Sequence, residues 1–147
     1  MSPRQRRRAK AAKGKRVGED AGERILIVED NPLNMELATE LLEAAGYSVR
    51  QAFSAEAGLR LARDQQPDLI LMDLRLPGMD GHAAVKALKQ DPVTAGIPTV
   101  ALTAQAMKGD EATALQSGFD GYIPKPIDTR NFPQTVARLL GAQGNAP

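Results

Sequence analysis

Glu29 and Asp30, Asp73, Thr103 and Lys125 each stand at or just past the end of a short apolar run rich in β-branched residues. If those runs are neighbouring parallel strands, their carboxyl ends open onto one crevice and these side chains meet there. Three converging carboxylates repel one another and raise each other's pKa, an arrangement that makes sense around a hard divalent cation. Mg²⁺ fits best, because it takes oxygen ligands, keeps several waters and bridges to phosphate. With no Cys and a single histidine, His82, the chain is poorly supplied for zinc. A Lys and a Thr hydroxyl beside such an ion can stabilise the equatorial oxygens of a transferring phosphoryl group. An Asp would then be the acceptor, since carboxylate nucleophiles form aspartyl-phosphate under metal assistance.

Each residue also has a plainer role when taken singly. Glu29–Asp30 alone is more often a solvated loop pair than a metal site. Asp73 could cap a turn, given the turn chemistry of Leu76, Pro77 and Gly78, although its place at the end of a buried run argues otherwise. Thr103 and Lys125 would pass for an ordinary strand-end Thr and a surface Lys before Pro126. His82, just after the Met79–Gly81 turn, is most simply a surface residue at a helix start, and Met72, Met79 and Met107 are gap-fillers.

The elements that must position these groups are legible in the periodicity. Short β-branched runs alternate with helical-period segments, the signature of a parallel sheet wrapped by helices. Strands are expected at 25–28, 48–52, 69–73, 99–103 and 121–124, and helices at 33–45, 55–64, 82–90, 109–117 and a last one ending near residue 140. The first, third and fourth strands are the most apolar and should be central, which gives the order 2-1-3-4-5 in a doubly wound (βα)5, flavodoxin-like three-layer sandwich. Gly46 and Gly118 suit helix C′ positions and Ser54 suits an N-cap. In the first helix Leu37, Leu41 and Leu42 should face the sheet, with Glu36, Glu40 and Glu43 outward. Pro133 stands where the last helix should begin, which predicts a late start near 129–131.

The chain's 147 residues suffice for one α/β core, here 24–141. Absent Cys excludes disulfide scaffolds and thiolate chemistry. No apolar run approaches the ~20 residues of a bilayer span, and no apolar segment follows the basic start, so a cytoplasmic address is expected. The net charge of +1 conceals a split. Arg4, Arg6, Arg7, Arg8, Lys10, Lys13, Lys15 and Arg16 are eight of the 19 basic residues, and the rest of the chain sets 11 basic against all 18 acidic residues, a net of −7. Segment 1–23 lacks a periodic apolar face and is expected to be a disordered basic extension; 142–147 should be a flexible tail.

Four motifs together resemble the receiver domains of two-component response regulators over about 24–141. They are ILIVEDNPLN at 25–34, PDLILMDLRLPGMDG at 67–81, VALTA at 100–104 and YIPKPI at 122–127, in the family's order and spacing. LLEAAGY at 41–47 and AMKGDE at 106–111 are most similar to single-domain, DivK-like regulators, though receivers attached to hybrid histidine kinases share these words. The resemblance implies that Asp73 is the phosphoacceptor. It further implies Mg²⁺ bound by Glu29 (largely through water), Asp30, Asp73 and the Arg75 main-chain carbonyl, with Lys125 and Thr103 on the phosphoryl group. Thr103 and Tyr122 would form the switch, moving the surface of the fourth helix, fifth strand and fifth helix. Arg75, Ala104 and Gln105 would tune access and phosphoryl lifetime, and Lys125–Pro126 would be cis. Pro133 puts the usual output contacts in doubt.

The leading expectation is therefore a single-domain response regulator, phosphorylated by a histidine kinase or histidine phosphotransferase and read by a downstream protein effector. It would be a monomer or a weak phosphorylation-dependent dimer, with only self-catalysed Asp phosphorylation and dephosphorylation and no other enzyme activity. Alternatives are a relay receiver derived from a hybrid histidine kinase, and a nucleic-acid adaptor acting through the basic segment. The latter is disfavoured because stacking aromatics are missing there. A haloacid-dehalogenase-type phosphatase fits poorly, since Asp73–Leu74–Arg75 is not Asp-x-Asp after strand one.

Overall fold

The computed structural model describes residues 23–103 and 110–144. The basic segment, except Glu23, and residues 145–147 of the expected tail lie outside these. Five strands form one parallel sheet: β1 (Arg24–Val28), β2 (Ser48–Ala52), β3 (Leu69–Asp73), β4 (Thr99–Thr103) and β5 (Gly121–Pro124). Their order is β2-β1-β3-β4-β5, as the apolar gradient required. The chain doubles back between strands through α1 (Pro32–Ala44), α2 (Ala55–Gln65), α3 (Gly81–Gln90), α4 (Asp110–Ser117) and α5 (Phe132–Gly144).

Because strand side chains alternate between faces, each central strand feeds two cores. Leu26 and Val28 of β1, Ile70 and Met72 of β3 and Ala101 of β4 pack with Ala62 of α2, Val85 and Leu88 of α3 and Ala114 of α4. Ile25 and Ile27, Leu69 and Leu71, Val100 and Leu102 pack on the other side with Met35 and Leu42 of α1 and Phe132, Val136 and Leu140 of α5. Every residue of β3 and β4 is buried, which is why 69–72 and 100–102 read as unbroken apolar runs, each followed by a polar residue.

Helix ends follow the expected chemistry. Asn31 caps α1 by accepting from the Leu33 and Asn34 amides, with Pro32 in the first turn. Ser54 caps α2 through the Ala57 amide, and Asp80 caps α3 through the Ala83 amide. Gly46 and Gly118 take φ of +101° and +115° after their helices, the left-handed conformation that suits Gly.

Three expectations need correction. Leu37 does not face the sheet: α1 buries Met35, Ala38 and Leu42, spaced three and four apart, with Leu41 half-buried, and Leu37 lies two residues, about 200° of helical turn, from Met35. The last helix starts at Phe132, one residue later than expected. The Asp128 carbonyl accepts from the Asn131 and Phe132 amides, and Pro133 occupies the first turn, where no helical bond is lost. That helix also continues past residue 140, and through 142–144 of the expected tail, to Gly144; Phe132, Val136 and Leu140 anchor it on the sheet. Among the described residues no helix is long and apolar enough to cross a membrane.

Candidate functional site

Strand register brings the polar groups together. Val28 pairs with Met72, so Glu29 emerges beside Asp73. Asp73 pairs with Leu102 and Thr103 with Pro124, so Thr103 and Lys125 follow in staggered sequence along the same edge. The Lys125 amide donates to the Thr103 carbonyl at 2.6 Å, fixing the chain as it leaves β5, and Lys125–Pro126 is cis.

Lys125 Nζ donates to Glu29 Oε1 at 2.5 Å and to Asp73 Oδ2 at 3.0 Å. All three side chains are 10% exposed or less, so this triad sits at the bottom of the crevice, while Asp30 is exposed at its mouth. The second oxygen of each buried carboxylate is tied to backbone: the Asn31 amide donates to Glu29 Oε2 at 3.1 Å and the Arg75 amide to Asp73 Oδ1 at 2.9 Å. Burial pushes the Glu29 carboxyl up, and the neighbouring Asp73 charge adds to it; bonds from Lys125 and Asn31 oppose the rise without cancelling it. Burial works to lower Lys125, but its bonds to Glu29 and Asp73 and their charges prevail and hold its pKa above the usual lysine value.

One carboxylate oxygen from each of Glu29, Asp30 and Asp73 can lie within 4.8 Å of the others. An octahedral ion with ligands at about 2.1 Å separates neighbouring ligands by about 3 Å and opposite ones by about 4 Å. The donors are all oxygen, and one ammonium leaves the ionised set two negative charges in excess. A hard divalent cation therefore fits the residues present.

The other expected residues fall around this centre. Thr103 is buried at the end of β4. Tyr122, opposite Ala101 on β5, is half-buried against the core shared by α3 and α4. The Arg75 side chain is exposed on the β3–α3 loop. Ala104 and Gln105 lie outside the described residues, as does Met107. His82 is not a free surface residue: its Nδ1 lies 2.6 Å from Ser117 Oγ and its ring meets Phe119 edge-on, joining the start of α3 to the end of α4.

Two positions were not singled out by sequence reasoning. Asn31 caps α1 with its side chain while its amide holds Glu29; the Asn-Pro pair at a helix start carried that signal. Gly81 lies against the backbone of the Asp73 strand end, where an added Cβ would meet the Asp73 carbonyl oxygen at 2.7 Å and Leu74 Cα at 2.8 Å. Its amide donates to the Leu74 carbonyl, closing the loop that returns from Asp73 to α3. A glycine before a helix gave only a generic turn signal.

Comparison with known proteins points one way. A family model described as the response regulator receiver domain matches residues 25–137. The polar-differentiation response regulator DivK of Brucella ovis is 47% identical over 117 residues, covering 80% of this chain and 95% of that protein. The receiver domain of a sensor histidine kinase from Pseudomonas aeruginosa, solved with magnesium coordinated in its active-site cleft, is 36% identical with a TM-score of 0.76, over 82% of this chain and 99% of that one. A CheY-like receiver domain protein from Methanospirillum hungatei superposes with a TM-score of 0.75 at 29% identity, over 83% and 96% of the two chains.

Proposed function

The chain belongs to the response regulator receiver family, and from that premise we propose that it is a DivK-like phosphoacceptor switch working through Asp73. An Asp73 oxygen attacks the phosphorus of a phosphohistidine on a histidine kinase or histidine phosphotransferase. The P–N bond breaks, and the electron pair returns to the imidazole nitrogen. Glu29 (largely through water), Asp30, Asp73 and the Arg75 main-chain carbonyl would hold Mg²⁺, which when bound supplies charge neutralisation and a fixed orientation for the phosphoryl oxygens.

This chain's own residues do the rest. Lys125 Nζ, shared between Glu29 and Asp73, is the cation within reach of an added oxyanion. Thr103 would donate its hydroxyl to the same group, and Tyr122 would follow it, passing the change to the surface of α4, β5 and α5. By the resemblance, Arg75, Ala104 and Gln105 would set the lifetime. The chemistry is one self-catalysed transfer and its hydrolysis, read in the cytoplasm by a protein effector, on a monomer or a weak phosphorylation-dependent dimer. The likeness to a sensor kinase's receiver domain favours one second reading, a relay in which Asp73 passes its phosphoryl group onward.

The observation that carries the proposal is Asp73 itself: a buried carboxylate at the end of a central strand, bonded to a buried lysine and within metal-sharing distance of two further carboxylates. Intact mass after incubation with acetyl phosphate tests it. The expected result is a gain of one phosphoryl group that requires Mg²⁺ and is abolished in Asp73→Asn; equal labelling of that variant would overturn the assignment.

A further inference from the structure

The charged residues of α1 are all acidic, and its outer face stays open. Pro32–Ala44 carries Glu36, Glu40 and Glu43, all exposed, and no Lys or Arg. Glu43 stands in the last turn, where the carbonyl end of the helix dipole is already negative and no basic residue offsets it. Beside this face runs a groove of about 250 Å³, lined by Pro32, Glu36, Thr39, Glu40, Gln51 and Phe53. In its lining Phe53 is 49% exposed, and Leu33, next to Pro32 in the first turn of α1, is 75% exposed. An acidic helix bordering an apolar groove suits a basic segment whose aliphatic stems lie on the apolar floor while its charges meet the glutamates.

The chain itself supplies that segment. Residues 4–16 hold eight basic side chains and no acid. The chain enters the fold beside the acidic end of α1: the Glu23 carbonyl accepts from the Ser48 amide, four residues after α1 ends. From Glu23 back to Arg16 is a reach of up to ~25 Å, and α1 is ~20 Å long, so the basic block can lie along the whole helix. A tether this short holds it at an effective concentration of roughly millimolar, enough to populate a contact that would be weak between separate molecules.

We propose that residues 4–16 dock in cis on the groove between α1 and β2, with Arg and Lys side chains on Glu36, Glu40 and Glu43. The segment is then a built-in competitor for any partner that uses this face, and one released by salt or by a stronger polyanion.

The chain's lack of Cys makes the test direct, because a nitroxide on Ala12→Cys labels that segment alone in the full-length protein. The expected result is paramagnetic loss of amide signal confined to residues 36–43 and 51–53. It should vanish in ~1 M NaCl, where the screening length falls to about 3 Å, and in Glu36→Gln/Glu40→Gln/Glu43→Gln, whose remaining spectrum should be unchanged. Loss spread evenly over the surface, centred on another face, or surviving both salt and the triple variant would overturn the proposal. So would loss seen only when labelled protein is mixed with unlabelled, isotope-enriched protein, which would assign the contact to a second copy.

Discussion

The ion pairs at the two ends of the sheet are built from the same residue types and obey different rules. At the carboxyl end, Lys125, Glu29 and Asp73 are almost wholly withdrawn from water. At the other end, Lys89 Nζ donates to Asp120 Oδ2 at 3.0 Å with both side chains about a quarter exposed. Asp120 there also accepts from the Thr99 amide at 2.8 Å, so the exposed pair closes a loop against the start of β4. An exposed pair gains little because water screens it, whereas a buried set must offset a large desolvation penalty and is held by extra bonds. The exposed pair serves the fold; the buried one, with burial raising the Glu29 carboxyl, marks the candidate functional site.

Removing the lysine from each set should separate them most. Lys125→Ala strips two buried carboxylates of their cation and should destabilise the metal-free protein by about 3 kcal/mol, the low end for a broken buried pair because Asp30 opens the crevice to water. Added Mg²⁺ should restore much of that loss. Lys89→Ala should cost only about 0.5 kcal/mol, with no response to Mg²⁺. Urea denaturation with EDTA and with Mg²⁺ reads both, and equal losses would break the comparison.

Gly81→Ala sharpens it at the level of backbone. The new methyl would press on the Asp73 carbonyl and Leu74 Cα, neither of which can rotate away, so a loss of about 2 kcal/mol is expected. Gly141→Ala, where nothing lies within 4 Å, is the control and should be neutral or slightly stabilising. Phosphoryl incorporation by the folded fraction should fall in the first variant only, because the loop displaced is the one that leaves Asp73.

How much of this was legible in the sequence depended on how local each determinant is. Asp73 was visible because an apolar stretch buried on both faces stops abruptly at a charge, and Glu29 and Lys125 because parallel strands share an end. Leu37 misled because two leucines four residues apart look like a stripe, yet the sheet-facing direction is set by Met35 and by where β1 delivers the chain. His82 read as a surface residue because its partners, Ser117 and Phe119, come from an element 35 residues away. Pro133 announced a late helix start, but which residue leads depended on the Asp128 carbonyl. The crowding at Gly81 follows from the path of one loop over one carbonyl, which no periodicity records.

The smallest effect is a sign. Burial raises the Glu29 carboxyl above its ordinary 4.5, whereas the Val93 amide, followed by Arg63, lowers Asp91, partly exposed on the α3–β4 loop, below its ordinary 3.8. For Asp91 the unfolded chain binds the proton more tightly. Its contribution is therefore complete above 3.8 and lost as the pH falls through the lower folded value. For Glu29 the folded chain binds the proton more tightly, so its contribution is complete below 4.5 and declines as the pH rises from there through the raised folded value. In EDTA, the stability of the protein relative to Asp91→Asn should thus climb with pH up to about 3.8. Relative to Glu29→Gln it should descend from about 4.5 upward. Thermal melts across that range measure both slopes, and slopes of the same sign would mean that the lysine in the crevice, not its burial, governs Glu29.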